Sequence, residues 1–299
     1  MNTGNWYQQH ERGAGKFRLG VLFWLYKIFG IRFLKVCVWA VSGCIGLCAK
    51  RARGFSREYR KILNVYQVAH NARPTRFSAL GHIRAFAYSC VDKMVAMCDA
   101  RNPIKFVVDN NDDWRELQNL IQNKHGAFLI CNHVGNIEAL AAFPDANNVK
   151  MHAFQQVQQN GIFHQFISSH SVRKNTIIHP VEDLNIGTAG EMFDYINNGD
   201  LVMMAGDRIS VKNPGKTVAV KILGQKCDLP AGVFRFARSM SCPVFAVALI
   251  NIGREKYKLF VRRLDEKNLD NMAAGFAQFT EQAVLSAPIQ WFNFYKFFK

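Results

Sequence analysis

The organisation of the chain follows from one stretch, GAFLICNHVGNIEAL, at residues 126–140. Its first six residues are small or apolar, as in a buried strand, and a helical pattern begins near Ile137. A strand that leads directly into a helix is the building unit of α/β proteins. His133 stands where the strand ends, which is the place where α/β sheets collect their functional groups.

The same alternation of strand and helix continues to the end of the chain. It predicts an α/β fold with a mixed, largely parallel central sheet that is flanked by helices. Strands are expected at 126–131, 149–154, 176–179, 201–205, 217–223, 243–249 and 257–263, and helices at 112–122, 161–170, 185–198, 230–240 and 267–287.

Charge divides the chain into two parts. Of its 299 residues, 38 are Lys or Arg and 22 are Asp or Glu, a net charge of +16, and 18 of the cations but only 4 of the acids lie in residues 1–105. We therefore expect a basic, apolar, membrane-associating helical extension at 1–105 and a nearly neutral catalytic domain at 106–299. Basic segments are typical of proteins that meet anionic lipid or nucleic acid.

The residues around these cations favour lipid. Residues 19–49 are mostly large apolar and aromatic residues, and Lys27, Arg32 and Lys35 fall within about 140° of a helical wheel. This predicts an amphipathic helix at an anionic membrane surface, or two short helices bent near Gly30. A buried core helix and a charge-tolerant spanning helix are the alternatives. No finger spacing or aromatic-basic strand signature is present, so no nucleic-acid partner is expected.

The cysteine pattern argues against a metal centre. None of the eight cysteines forms a C-x2-C pair, and three lie in the apolar N-terminal stretch. Structural zinc sites normally use closely spaced ligand pairs. We expect no metal, no cofactor, and buried reduced thiols in a protein that faces the cytosol.

His133 and Glu138 are the candidate catalytic pair. Five positions apart, they cannot meet on one helix, but across a strand–turn–helix corner Glu138 can fold back onto the imidazole, and Gly135 permits the tight turn. A carboxylate on one ring nitrogen fixes the tautomer and leaves the other nitrogen as a general base. The alternative is a structural histidine and a glutamate that only caps the helix together with Gly135.

A His-x4-Asp/Glu corner resembles the signature of glycerolipid and lysophospholipid acyltransferases. The string HVGNIE after Asn132 closely resembles bacterial lipid A biosynthesis acyltransferases of the lauroyl/myristoyl transferase type. The block AGDRIS at 205–210, the ending PIQWFNFYKFFK at 288–299 and the N-terminal helix are similar to that family as well. The resemblance covers residues 15–299 and implies a glycerolipid acyltransferase-like fold.

The resemblance implies acyl transfer from a thioester to a hydroxyl of a lipid or glycolipid, at the cytoplasmic face of the bacterial inner membrane. It implies acyl carrier protein, more than acyl-CoA, as the donor. In this interpretation Glu138 orients His133, which removes the acceptor proton. Backbone N–H groups at Gly135 and Asn136 would stabilise the oxyanion. The further candidate residues for substrate binding are Asn132, Asp207 and Arg208.

Some sequence features leave two questions open: which lipid is the acceptor, and to which functional class the protein belongs. Ile137 stands where many lipid A enzymes have Trp, and Arg208 follows Asp207 where they have Gln; an Arg suits phosphate or carboxylate. Asp207 and Arg208 could instead form an internal salt bridge. The six aromatic residues from Trp291 to Phe298 predict either an interfacial helix or a closing helix packed on the body. The alternative functions are an acyl-CoA-dependent lysophospholipid acyltransferase and a non-enzymatic, basic membrane- or nucleic-acid-binding protein.

Overall fold

A computed structural model describes residues 16–99, 104–109, 111–155, 161–209, 216–253, 256–265 and 267–299. Residues 1–15 of the predicted extension and Ser210 of the AGDRIS block lie outside the described residues.

The centre of the protein is a seven-stranded sheet with the order β1-β9-β8-β2-β5-β3-β4. Neighbouring strands run parallel except for β8 and β9, which pair antiparallel. A separate antiparallel hairpin is formed by β6 and β7. The strands are β1 (Lys105–Val108), β2 (Ala127–Gly135), β3 (Met151–Gln155), β4 (Thr176–Pro180), β5 (Leu201–Ala205), β6 (Thr217–Ile222), β7 (Gln225–Pro230), β8 (Val244–Gly253) and β9 (Lys256–Arg263).

Helices cover both faces of this sheet, so the predicted fold class is confirmed. They are α1 (Lys16–Cys48), α2 (Lys50–Ala69), α3 (Ala79–Cys98), α4 (Asp112–Gln122), α5 (Phe143–Asn147), α6 (Gly161–His170), α7 (Ile186–Asn197), α8 (Ala231–Ser239) and α9 (Leu269–Ser286), with 3-10 helices at Ile137–Ala142, Val181–Asp183 and Pro288–Gln290. The strands β1 and β7 were not predicted from the sequence, because both are short and carry charged residues.

Alternate side chains of β2 enter two different cores. Phe128 and Ile130 pack with α7, α8 and α9 on one face of the sheet, together with residues of α2. Ala127, Leu129 and Cys131 pack on the other face with α4 and the 3-10 helix Ile137–Ala142. Burial on both faces explains why β2 reads as a continuous apolar run. It also fixes the register of the strand that ends at His133.

The first helix is bent at Gly30, as one of the sequence interpretations expected. Gly30 has φ +76° and ψ 177°, a non-helical conformation that glycine adopts without a steric cost. Lys27 and Lys35 turn towards α3, where they pair with acidic side chains. Large apolar side chains of α1 point outwards, among them Trp24, Phe29, Phe33, Val36 and Trp39. The alternative of a buried core helix is therefore wrong.

The chain ends in an extended segment, not in a helix. Trp291 is completely buried, pairs through its backbone with Val134, and packs edge-on against Tyr59 at a ring distance of 5.2 Å. Further along, Phe298 pairs with Cys227 of the hairpin. The predicted packing of the aromatic tail on the body is confirmed, but its predicted helical conformation is wrong. The interfacial-helix interpretation is also wrong, because the tail's largest side chain is buried inside the protein.

Candidate active site

The carboxyl ends of two neighbouring parallel strands bring His133 and Asp207 together. His133 lies near the end of β2, and Asp207 follows β5, which pairs with β2 from Ala127 to Cys131. The His133 Nδ1 atom lies 2.7 Å from Asp207 Oδ1, and the backbone N–H of His133 donates to Asp207 Oδ2 at 2.8 Å. One carboxylate thus holds both the ring and the backbone of the histidine.

This contact determines the tautomer of the histidine. Asp207 is buried, and although burial acts to raise its pKa, the two hydrogen bonds and the charge of His133 hold the pKa below its usual value. An ionised carboxylate only accepts, so Nδ1 carries the proton. No hydrogen bond to Nε2 is found among the described residues, and the side chain of His133 is 24% exposed. Nε2 is available to an incoming hydroxyl.

Glu138 lies near His133 but is bonded elsewhere. Its Oε1 accepts from Lys93 Nζ of α3 at 2.9 Å. Burial acts to raise the pKa of Glu138, and Lys93, aided by the charge of His133, lowers it to about 2. The expected hydrogen bond between Glu138 and the imidazole is therefore absent from this structure. Asp207 occupies that position, while Glu138 acts on the histidine through its charge.

The turn after β2 is fixed by a close approach to β8. Gly135 has φ +82°, and a Cβ at this position would lie 2.1 Å from the carbonyl oxygen of Leu249. The backbone N–H of Asn136 donates to that same oxygen at 2.8 Å. The predicted oxyanion donor at the Asn136 backbone is therefore already used. The buried side-chain amide of Asn136 has no hydrogen-bond partner among the described residues.

Asn132 has a structural position. It is completely buried, its Nδ2 donates to Thr280 of α9 at 3.2 Å, and its Oδ1 accepts from the Val134 N–H at 3.2 Å. Both polar atoms of the amide are thus used by the protein. Asn132 connects β2 to α9, and the structure does not bring it to the substrate side as the sequence interpretation expected.

Arg208 lies between Asp207 and the C-terminal tail. The guanidinium contributes to the lowered pKa of Asp207. The charges of Asp207 and Arg208 also act on the pKa of Tyr295, which lies in the tail. Burial raises the pKa of Tyr295, so its hydroxyl stays protonated. The alternative of an internal salt bridge with Arg208 is not the main contact of Asp207, because the hydrogen bonds of Asp207 go to His133.

A narrow, mostly apolar cleft that is partly open to solvent begins beside Glu138. Its walls come from α3, the 3-10 helix Ile137–Ala142, α6 and the strands β3, β4 and β5. Lys93 and Glu138 are charged residues in this lining; the large apolar ones are Met97, Ile137, Met151, Ile167, Ile178 and Met203. Flexible methionine side chains adapt to hydrocarbon, so the cleft suits an alkyl chain.

The cysteines do not offer a nucleophile at the site. Cys131 lies in β2 two residues before His133, and burial together with the charges of Asp207 and Glu138 raises its pKa well above the usual value. Cys44 and Cys48 are exposed on α1, contrary to the expectation that the thiols are buried. Among the residues that the structure describes, no group of three or more His, Cys, Asp or Glu side chains is arranged to hold a metal ion.

The fold and the site define an α/β protein with a histidine–carboxylate pair at the carboxyl ends of two parallel strands and with the nearby Glu138 in the lining of an apolar cleft. The family model for bacterial lipid A biosynthesis acyltransferases matches residues 89–299, and the chain belongs to this family. The resemblance that the motifs suggested is thereby confirmed, and the protein is an acyltransferase. The match begins inside α3 and leaves α1 and α2 uncovered. A comparison with curated proteins found no match.

Proposed function

We propose that the protein transfers a fatty acyl chain from a thioester to a hydroxyl of a lipid or glycolipid, with His133 as the general base. The observation that carries this proposal is the 2.7 Å contact between His133 Nδ1 and Asp207 Oδ1. It leaves Nε2 as the basic nitrogen. Glu138, whose charge acts on His133, lines the cleft proposed for the acyl chain. General-base catalysis of this kind accelerates reactions by about 10²–10⁴-fold.

The chemistry proceeds through direct attack. His133 Nε2 takes the proton from the acceptor hydroxyl while its oxygen forms a bond to the thioester carbonyl carbon. The carbon–sulfur bond then breaks, and the imidazolium returns the proton to the departing thiolate, which gives an ester and a free thiol. No covalent acyl-enzyme is required, since the nearby Cys131 is buried and protonated.

The neighbouring groups support this base in different ways. Asp207 orients the ring and stabilises the imidazolium. Glu138, held ionised by Lys93, adds a second negative charge next to the imidazolium. The side-chain amide of Asn136, buried and without a partner among the described residues, is the donor that this turn can offer to the oxyanion.

We propose binding sites for the donor and for the polar part of the acceptor from the positions of positively charged side chains. Exposed cations of α2, among them Arg51, Arg57 and Lys61, attract an acidic protein, which favours acyl carrier protein over acyl-CoA. Arg208, beside Asp207, is a planar cation that suits a phosphate of the donor's phosphopantetheine or of the acceptor. The acyl chain would lie in the cleft lined by Met151 and Met203.

We place the protein at the cytoplasmic face of the bacterial inner membrane. The helical segment Leu19–Cys48 is long and apolar enough to cross a membrane by length and composition, and only 11% of the 18-residue apolar window within it is buried. Its bend at Gly30 and its outward apolar face support a helix that lies in the interface. The cations of α2 would meet anionic headgroups.

The test is transfer by purified, full-length protein in lipid nanodiscs. Lauroyl-, myristoyl- and palmitoyl-acyl carrier protein and the matching acyl-CoA thioesters are offered with lipid A precursor or lysophospholipid, and ester formation is measured by mass spectrometry. We expect His133→Ala to lose about 10³-fold or more of the activity while its circular dichroism is unchanged. His125→Ala, at an exposed position after the end of α4, is the control and keeps full activity. Full activity of His133→Ala would exclude this mechanism, and equal use of both carriers would remove the donor preference.

A further inference from the structure

The helix α1 is connected to the active site through buried charges of α3. Lys35 Nζ lies 2.8 Å from Asp92 Oδ1, and Lys27 Nζ lies 3.6 Å from Asp99 Oδ2. Tyr26 donates to the same Asp99 oxygen at 2.7 Å. Both carboxylates are buried, so their partners on α1 replace water that the folded protein excludes. The contact between α1 and α3 is therefore a specific polar one as well as an apolar one.

Asp92 connects more than these two helices. Its Oδ2 accepts from Asn251 Nδ2, at the end of β8, at 2.9 Å. The backbone of Asn251 is held on both sides by Gln290, at 3.0 and 2.8 Å. The end of β8 and the start of the C-terminal tail thus meet α1 at a single carboxylate.

The next residue of α3 is Lys93, which holds Glu138. Adjacent residues of a helix point about 100° apart, so α3 presents Asp92 towards α1 and Lys93 towards the site. A rotation or tilt of α3 would move both contacts together. Of the described residues, His133 and Cys131 are the other titratable groups that interact with Glu138.

The contact between α1 and α3 also supports the wall of the cleft. One apolar cluster joins Leu34 of α1 to Met97 of α3, Ala141 and Ile167. The last three of these residues also line the cleft. Since Leu34 is completely buried, α1 forms an outer layer of that wall.

We propose that Lys35 and Asp92 are positioning residues of the acyl-transfer site, through which α1 holds α3 in the orientation that places Lys93 on Glu138 and Met97 in the cleft wall. The helix that meets the lipid is then part of the catalytic scaffold, not only an anchor. This inference rests on the proposed acyl-transfer function.

The test compares Lys35→Met and Asp92→Asn with two matched variants. Lys35→Arg keeps the charge, and Arg32→Met removes an exposed cation of the same helix that has no ion pair among the described residues. Activity is measured in detergent micelles with acyl carrier protein thioesters from decanoyl to palmitoyl, and attachment is measured separately as partition into vesicles. Thermal unfolding shows that each variant is folded, and Lys35→Gln replaces Lys35→Met if the latter is not.

We expect Lys35→Met and Asp92→Asn to lower kcat by about tenfold, with the acceptor KM within about twofold, because the reacting groups are misplaced and not lost. The chain-length preference should flatten by about threefold or more, since the cleft wall is loosened. Lys35→Arg and Arg32→Met should match the wild type in both respects.

Two other outcomes would overturn the inference. If Lys35→Met loses thermal stability or vesicle partition but keeps its kcat and its chain-length preference, α1 is only an anchor. If Arg32→Met loses as much activity as Lys35→Met, the loss comes from removing any positive charge of α1 and not from breaking the contact between Lys35 and Asp92. A wild-type protein that turns over none of the thioesters would instead end the proposed function, and the inference with it.

Discussion

At the scale of single residues, the histidine is held by a carboxylate that comes from a different strand. Asp207 lies 74 positions after His133 and accepts from both its ring and its backbone N–H. The carboxylate nearer in sequence, Glu138, binds Lys93. In the proposed mechanism, two acids therefore share the work: Asp207 orients the base and Glu138 supports its charged form.

This division leads to a kinetic prediction. Asp207→Asn should lower kcat by about 10²–10⁴-fold with little change in KM, because the imidazole loses the acceptor that fixes its tautomer. Glu138→Gln keeps that contact and should cost about tenfold. Steady-state kinetics of both variants, with circular dichroism as a folding control, measures the difference. A greater loss in Glu138→Gln than in Asp207→Asn would return the orienting role to Glu138.

At the scale of elements, the C-terminal tail is held by a buried histidine. His82 of α3 is completely buried, with Nε2 3.1 Å from the Trp291 carbonyl oxygen and Nδ1 3.0 Å from Ser56 Oγ of α2. Because the carbonyl only accepts, Nε2 carries the proton and the Ser56 hydroxyl donates to Nδ1. Two helices and the tail therefore meet at one neutral imidazole.

Acid should weaken this contact. Burial lowers the pKa of His82 to about 4, against 6.5 in the unfolded chain, while the Trp291 carbonyl opposes the shift. Since the unfolded state takes up the proton first, His82 contributes stability above about pH 6.5 that is lost as the pH falls towards about 4. Between about pH 7 and about pH 5 this loss is about 2 kcal/mol in the free energy of unfolding.

The measurement is urea unfolding in detergent at both pH values. His82→Gln should lower the free energy of unfolding at neutral pH and reduce its pH dependence by about 2 kcal/mol. His152 and His179, whose pKa values burial also lowers, keep their share of the slope in both proteins. His125→Gln, at an exposed position, serves as the control. An unchanged slope in His82→Gln would show that this imidazole is not neutral in the folded protein.

At the scale of the whole molecule, α3 contacts both α1 and the 3-10 helix that follows β2. Trp24, Phe29 and Phe33 are between 42% and 59% exposed on α1. A row of exposed apolar residues indicates an interaction surface that is covered by a partner or a membrane. In the proposed placement, the membrane that covers this surface also supplies the acceptor lipid.

A triple variant tests this surface. Changing Trp24, Phe29 and Phe33 to Ser should lower the partition into anionic vesicles by about tenfold or more, because each aromatic side chain contributes about 1 kcal/mol or more when half of it is withdrawn from water. The matched control changes Leu184, Ile186 and Phe193, which are exposed on the body, and should leave partition unchanged. Equal loss in both variants, measured by vesicle sedimentation, would contradict the assignment of the membrane surface to α1.

Much of this architecture could be predicted from the sequence. The long apolar strands, the bend at Gly30 and the His133 corner carry local signals, because backbone conformation and side-chain periodicity act over short distances. Lys93 and Tyr295 reach the site from far along the chain, and a single Lys in an amphipathic helix or Tyr in an aromatic tail gives no local sign of its partner. The choice of Asp207 over Glu138 depends on which strands are neighbours, and this only the folded sheet determines.

The order of strands has a consequence for how the protein is made. The partner of β1 is β9, and Lys105 pairs with Lys256, 151 positions later. β2 likewise needs β5 and β8. During synthesis the apolar α1 leaves the ribosome long before the sheet can close, and such distant pairings form slowly. A nascent chain that reaches lipid early would keep α1 away from the unpaired strands, so the membrane would act on folding before any acyl chain is transferred.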